Sequence, residues 1–209
     1  MKSSFALILL NGDMCDPKTV RAAARRAGAV ICADGGARHA VVLGLRPDYI
    51  VGDMDSLPAK LPKSWKNTRY WCDFDPERSD LDKALDFSRA LGARSVLIAG
   101  ALGGGLDHEL MNFAALERGA NGLDLRVIDR GSARLLGPGR HRLLLKKGAR
   151  FSLLAAPRAR LSLSGAAFGL KNEVLRRGSR GLGNRALGPV LLTVHEGKAW
   201  VIDAAAFQG

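Results

Sequence analysis

Four aspartates stand where they could do chemistry. Asp53 and Asp55 are two apart in Gly52-Asp53-Met54-Asp55-Ser56, directly after the apolar run Tyr49-Ile50-Val51. In extended backbone that spacing puts both side chains on one face. Carboxylates so close repel, and each raises the other's pKa unless a cation lies between them. Mg²⁺, a hard divalent ion that takes oxygen ligands, suits such a pair. Asp34 follows a second apolar run, in Ala33-Asp34-Gly35-Gly36-Ala37, and Asp80 follows Ser79 beyond Arg69-Tyr70-Trp71-Cys72. Each also has an ordinary use. Gly, Asp and Ser make surface turns, two glycines permit a tight turn after Asp34, and Asp80 complements a helix dipole. Several carboxylates from separate loops are harder to assign to turns alone.

A glycine-rich stretch, Gly100-Ala101-Leu102-Gly103-Gly104-Gly105-Leu106-Asp107-His108, links an apolar run to a helical pattern. Glycines let backbone N–H groups approach an anion, and a helix start adds a favourable field. The stretch lacks the Gly-Lys-Ser/Thr ending of a P-loop and the GxGxxG of a dinucleotide fold. Asp107 suits a helix N-cap as well as a ligand role. His108 and Asn112 share one helix face. Further on, Phe168 lies among Gly165, Gly169 and Asn172, followed by Gly183-Asn184. An aromatic ring beside Gly and Asn can stack on a flat heterocycle. Composition alone favours core packing for Phe168 and loops for the rest.

Elements that would position these groups follow from periodicity. Phe5-Leu10, Ala29-Ala33, Tyr49-Val51, Arg69-Cys72, Ser95-Ala99 and Leu125-Asp129 read as strands, and 17–27, 36–43, 80–91 and 107–118 as helices. Asp16 with Pro17 caps the first helix. Ser79 with Asp82 forms a capping-box-like pair, and Leu81, Ala84, Leu85, Ser88 and Leu91 line one face. Short apolar strands alternating with helices predict a mostly parallel sheet covered on both sides. Ligands of such sheets bind beyond the carboxyl ends of the strands, where the aspartates fall. After about residue 131 the rhythm changes. Arg134-Leu136, Arg142-Leu145, Arg150-Ala155, Arg160-Ser164, Val190-His195 and Ala199-Asp203 predict strands, with a hairpin turning at Glu196-Gly197. The expected domains are an α/β domain over 1–131 and a small all-β domain over 132–209.

The 209 residues, 47% of them hydrophobic, suffice for a sizeable core. No apolar run approaches a membrane span, and Met1–Leu10 reads as a first strand and not as a signal peptide. Three cysteines without CxxC spacing predict reduced thiols, a cytoplasmic protein and no zinc site. The net charge is +12, and between Arg126 and Arg185 only Asp129 and Glu173 oppose the basic residues. Basic surfaces attract nucleic acid, acidic lipid or phosphorylated small molecules. Heavy use of Arg, Ala, Gly and Leu fits compositional bias equally. Aromatics of the kind that stack bases are not interleaved with the charge, so nucleic acid is not an expected partner.

Taken together, Ala-Asp-Gly-Gly-Ala at 33–37, Pro47-Asp48, Gly-Asp-Met-Asp-Ser at 52–56, Ser79-Asp80 with Ala84-Leu85, and Gly-Ala-Leu-Gly-Gly with Leu-Asp-His at 100–108 resemble the thiamine pyrophosphokinase family. The resemblance covers nearly the whole chain. It implies a homodimer of subunits, each with a Rossmann-like, mostly parallel nucleotide-binding sheet followed by a small β-sandwich. It implies a transferase that moves the pyrophosphoryl group of ATP to the hydroxyl of thiamine, giving thiamine diphosphate and AMP. By that resemblance Asp34, Asp53, Asp55 and Asp80 hold Mg²⁺, with Asp53, Asp55 and Asp80 catalytic. Asp34, Gly35, Ser79, Gly103, Gly104, Asp107 and His108 face ATP, and Phe168, Gly183 and Asn184 face thiamine. Asp55 and Asp80 are the candidates to accept the hydroxyl proton, and the sequence does not choose between them. The chain departs from the family pattern in having Ser79 for Thr, Gly105 for Arg, Phe168 for Trp or Tyr and Gly183 for Ser. Arg78 and Lys83 are the nearby residues able to replace the cation absent at Gly105. Two other readings share these motifs: a pyrophosphokinase acting on another heterocyclic alcohol such as a pterin, and a catalytically decayed nucleotide- or nucleic-acid-binding protein.

Overall fold

The computed structural model describes residues 5–119 and 122–203. The chain divides into two compact units, Met1–Asp129 and Arg130–Gly209.

In the first unit strands and helices alternate: β1 (Phe5–Leu9), α1 (Pro17–Arg26), β2 (Ala29–Ala33), α2 (Ala37–Val42), β3 (Tyr49–Gly52), β4 (Arg69–Cys72), α3 (Asp80–Ala90), β5 (Ser95–Ala99), α4 (Leu106–Gly119) and β6 (Asp124–Ile128). The strands lie in the order β6-β5-β1-β2-β3-β4, every neighbouring pair parallel. Leu7, Ile8 and Leu9 are consecutive and fully buried. Side chains alternate between faces, so central strand β1 is covered on both. All four residues of edge strand β4 are exposed. The predicted caps are present. Asp16 accepts the Thr19 N–H at 3.0 Å, and Ser79 and Asp82 form a reciprocal capping box on α3. Leu81, Ala84, Leu85 and Ser88 are buried along α3 as the pattern requires, whereas Leu91 falls at the C-cap and is exposed.

The second unit is built of strands: β7 (Ser132–Leu136), β8 (Gly139–Leu143), β9 (Arg150–Ala166), β10 (Leu170–Arg176) and β11 (Asn184–Asp203). The predicted pairs of strands at 150–164 and 190–203 are each one long strand, and there is no hairpin at Glu196-Gly197. Leu191 faces Ser164 and Glu196 faces Arg160, but Ala199 faces Ala155, so β9 advances five residues while β11 advances three. The Gly and Pro punctuation marks a bulge between two pairing stretches and not a chain reversal. Strand β10 escaped the sequence reading because Leu-Lys-Asn-Glu-Val-Leu-Arg is polar and lies at the end of the strand order. Phe151, Leu153, Leu161, Leu163, Val190, Leu192, Val194 and Val201 form the core. Phe168 lies in the turn between β9 and β10, 68% exposed, and not in that core. No helix among the described residues is long and apolar enough to cross a membrane.

Candidate functional site

The carboxyl ends of β1, β2, β3 and β5 open onto a cleft of about 460 Å³, within the size range of small-molecule sites. Asp34 leaves β2, Asp53 leaves β3 and Asp80 opens α3. Carboxylate oxygens of these three lie within 4.8 Å of one another. Gly52 makes this approach possible. Its φ of 145° is outside the range of ordinary side chains, and a Cβ there would sit 2.8 Å from Asp80 Oδ1 and 2.9 Å from Asp34 Cβ. Asp55, the fourth predicted ligand, is exposed beside Asp34 and outside the trio. Its carboxylate accepts the Ser56 hydroxyl at 2.8 Å.

Asp34 is fully buried. Its Oδ2 accepts the Ser56 N–H at 2.9 Å, and its Oδ1 has no hydrogen-bond partner among the described residues. Burial pushes its carboxyl up to about 6; the Ser56 N–H opposes the rise, and Asp80 and Asp55 add to it. Burial also raises Asp80, with Lys83 opposing and Asp53 and Asp55 adding. A buried, unpartnered carboxylate is costly unless a cation meets it. The all-oxygen donor set and the orphaned Asp34 oxygen therefore fit a hard divalent ion.

Positive charge enters from α3 and the loop before it. Lys83 is 5% exposed; its Nζ donates to the Asp73 carbonyl at 2.7 Å and lies 3.7 Å from Asp80 Oδ1. Arg78 also lines the cleft and is paired with Asp73 and Asp86. Ser79 lines the cleft too, but its hydroxyl belongs to the α3 cap, donating to Asp82 Oδ2 at 2.6 Å.

The opposite wall comes from the glycine-rich stretch. Gly104, Gly105 and His108 line the cleft beside Glu109 and Asn112. Asn112 holds the loop by donating to the Ala101 carbonyl at 2.8 Å. The Gly103 N–H donates to Glu109 Oε1 at 2.7 Å. Asp107 is not an N-cap, since α4 already begins at Leu106; its Oδ1 accepts the N–H of His108 at 2.9 Å. Asp107 and Gly103 are not among the lining residues, whereas Gly35 is. Sequence reasoning missed Asn11, Gly12, Asp75 and Glu109, which also line the cleft. Asn11 and Gly12 were accessible to the argument used for the aspartates, because they follow a central strand; Glu109 carried no motif.

A family model described as "Thiamin pyrophosphokinase, catalytic domain" matches residues 20–136, more than half of the chain. The chain belongs to the thiamin pyrophosphokinase family. It is 29% identical over 143 residues to Thiamine pyrophosphokinase 1 of Oryza sativa subsp. japonica, covering 57% of this chain and 53% of that protein. It thus spans about half the length of that curated relative. Among solved structures, the thiamine pyrophosphokinase of Bacillus subtilis superposes with a TM-score of 0.81 at 21% identity, covering 95% of this chain and 98% of the other. The yeast thiamin pyrophosphokinase gives 0.74 at 15%, covering 97% and 87%. At such identities these superpositions establish the shared fold, with its parallel sheet and strand-rich C-terminal unit.

The remaining predicted residues lie in the second unit. Asn184 is buried with both ends of its amide engaged: Oδ1 accepts the N–H groups of Phe168 and Arg185, and Nδ2 donates to the Phe168 carbonyl. Asn184 therefore fixes the turn that presents the Phe168 ring. Gly183 has φ 68° and donates its N–H to Ser152 Oγ at 3.2 Å.

Proposed function

We propose that the protein is a Mg²⁺-dependent thiamine pyrophosphokinase, transferring the pyrophosphoryl group of ATP to the hydroxyl of thiamine. Within the family, the observation that carries this reading is the convergence of Asp34, Asp53 and Asp80 on one cleft beside the buried Lys83. These three carboxylates are the ligands for Mg²⁺, which when bound neutralises phosphate charge and fixes the polyphosphate chain. Lys83 and Arg78 supply positive charge on the same side. The hydroxyl oxygen of the acceptor attacks the β-phosphorus of ATP. A new O–P bond forms, the bond from that phosphorus to the bridging oxygen of AMP breaks, and AMP leaves with the bridging oxygen. Asp55, exposed and outside the trio, is the carboxylate that takes the hydroxyl proton.

In this reading the first domain binds ATP, with Gly35, Ser79, Gly104 and His108 on the cleft wall and Gly103 and Asp107 in the loop behind it. The second domain binds thiamine. Phe168 offers an exposed ring face to the cationic thiazolium, a contact worth about 0.5–2 kcal/mol, and Gly183 contributes backbone only. The protein works as a cytoplasmic homodimer.

Incubation with Mg-ATP and thiamine should yield AMP and thiamine diphosphate in equal amounts. Asp53→Asn should reduce the rate at least about 100-fold without altering circular dichroism, because it removes a ligand and a charge from a site with few of either. AMP formed only with another alcohol would replace thiamine as acceptor. No AMP with any acceptor, or full activity in Asp53→Asn, would remove the reading.

A further inference from the structure

The cleft is polarised. The lysine and arginine that line it, Lys83 and Arg78, both belong to the α3 side, where the aspartate trio also lies. The opposite wall, formed after β5, brings Glu109 instead. The Gly103 N–H is the kind of donor a glycine-rich loop before a helix offers to a phosphate. Here it is already bound to Glu109 Oε1 at 2.7 Å. A carboxylate in that position consumes the donor and repels a phosphate that approaches it. Position 105 is glycine and offers no compensating side chain. Beside its carboxylate, Glu109 therefore disfavours phosphate and favours a hydrogen-bond donor on the wall it shares with His108.

We propose that Glu109 receives the ribose hydroxyls of the nucleotide, so that the sugar sits against the loop after β5 and the triphosphate runs toward Lys83 and the aspartate trio. An ionised carboxylate only accepts hydrogen bonds. Oε1 is fixed by the Gly103 N–H, and Oε2 has no partner among the described residues. A vicinal diol supplies two O–H donors, and an acidic side chain on ribose hydroxyls is a recurrent device of nucleotide-binding sheets. Glu109 is thus a specificity-determining residue for ribonucleotides. The inference rests on the ATP-dependent reading above.

The test is calorimetric titration of the full-length protein, in Mg²⁺ and without thiamine, with ATP, 2′-deoxy-ATP and 3′-deoxy-ATP. At least one deoxynucleotide should bind about tenfold more weakly than ATP, since a hydrogen bond to a charged acceptor is lost. Glu109→Ala should bring that ratio to about one. Glu109→Gln, which retains an acceptor for the Gly103 N–H, should reduce it at least about threefold. A purely structural role for Glu109 would weaken all three nucleotides together and leave the ratio unchanged. Equal binding of all three by the wild type, or a ratio that survives in both variants, overturns the inference and leaves the pyrophosphokinase reading intact. Failure of the wild type to bind any of the three overturns both.

Discussion

Asp34 combines three costs at one residue: burial, a neighbouring negative charge and a left-handed backbone with φ 36°. Asp and Asn tolerate that backbone better than most side chains, so Asp34→Asn changes the charge and keeps the Ser56 N–H bond. The folded state holds the Asp34 proton to about pH 6, against an ordinary value of 3.8. This contribution to stability is fully present below pH 3.8 and is lost as pH rises through about 6. Metal-free wild type should therefore lose up to about 3 kcal/mol between pH 4 and 7 from this group, and Asp34→Asn should flatten that slope and be the more stable protein at pH 7.5. Urea midpoints at the two ends of the range check it. Mg²⁺ should raise the wild-type melting temperature more at pH 7.5 than at pH 5, because the ion binds the ionised carboxylates. A metal effect independent of pH would count against the trio.

At the scale of elements, the strand ends and helix starts fix the site. Strand β3 finishes on Gly52, between Asp34 and Asp80, and α3 starts on a capping box that carries Asp80 and Lys83 on its first turn. Gly52→Ala should abolish the Mg²⁺-dependent rise in melting temperature while the far strands stay folded, since its Cβ has no room between the two carboxylates. A normal metal response in a folded Gly52→Ala would show that the carboxylates need not approach. In the second unit Gly183 stands where the family pattern has Ser, with φ at 68°. Gly183→Ser should cost about 1 kcal/mol of stability even though the space around the position is open. Chemical denaturation of Gly183→Ser measures that cost, and unchanged stability would mean the backbone relaxes.

For the whole molecule, charge divides along the chain. Residues 130–209 hold fifteen Lys and Arg against Glu173, Glu196 and Asp203, so the net charge of +12 resides entirely in the strand-rich unit. Duplex DNA should bind it weakly, without sequence preference, and should be released as salt rises from 50 to 200 mM. Fluorescence anisotropy follows this, and tight binding that persists at high salt would favour a nucleic-acid partner. Light scattering at micromolar concentration should give the mass of a dimer; a monomer would remove the homodimer from the proposed function. Leu106 and Leu110, one turn apart on α4 and both largely exposed, are apolar surface of the kind a second subunit covers.

The sequence by itself determined the parallel sheet, because buried β-strands followed by capped helices leave few alternatives for Phe5–Leu9, Ala29–Ala33 or Ser95–Ala99. It also determined which loops carry acid, since Asp34, Asp53 and Asp80 each follow a strand that ends on the same edge. It could not decide what those side chains meet. Mutual distance depends on strand order, which brings β2 and β3 side by side. Only the tertiary structure could set Asp55 outside the trio, bury Lys83 against Asp80 and tie Glu109 to Gly103 across six residues. The second unit was less legible for a related reason. Its strands bulge and run on through Pro157 and Gly197, and a local pattern cannot distinguish a bulge from a turn when long-range pairing supplies the energy that keeps the strand going.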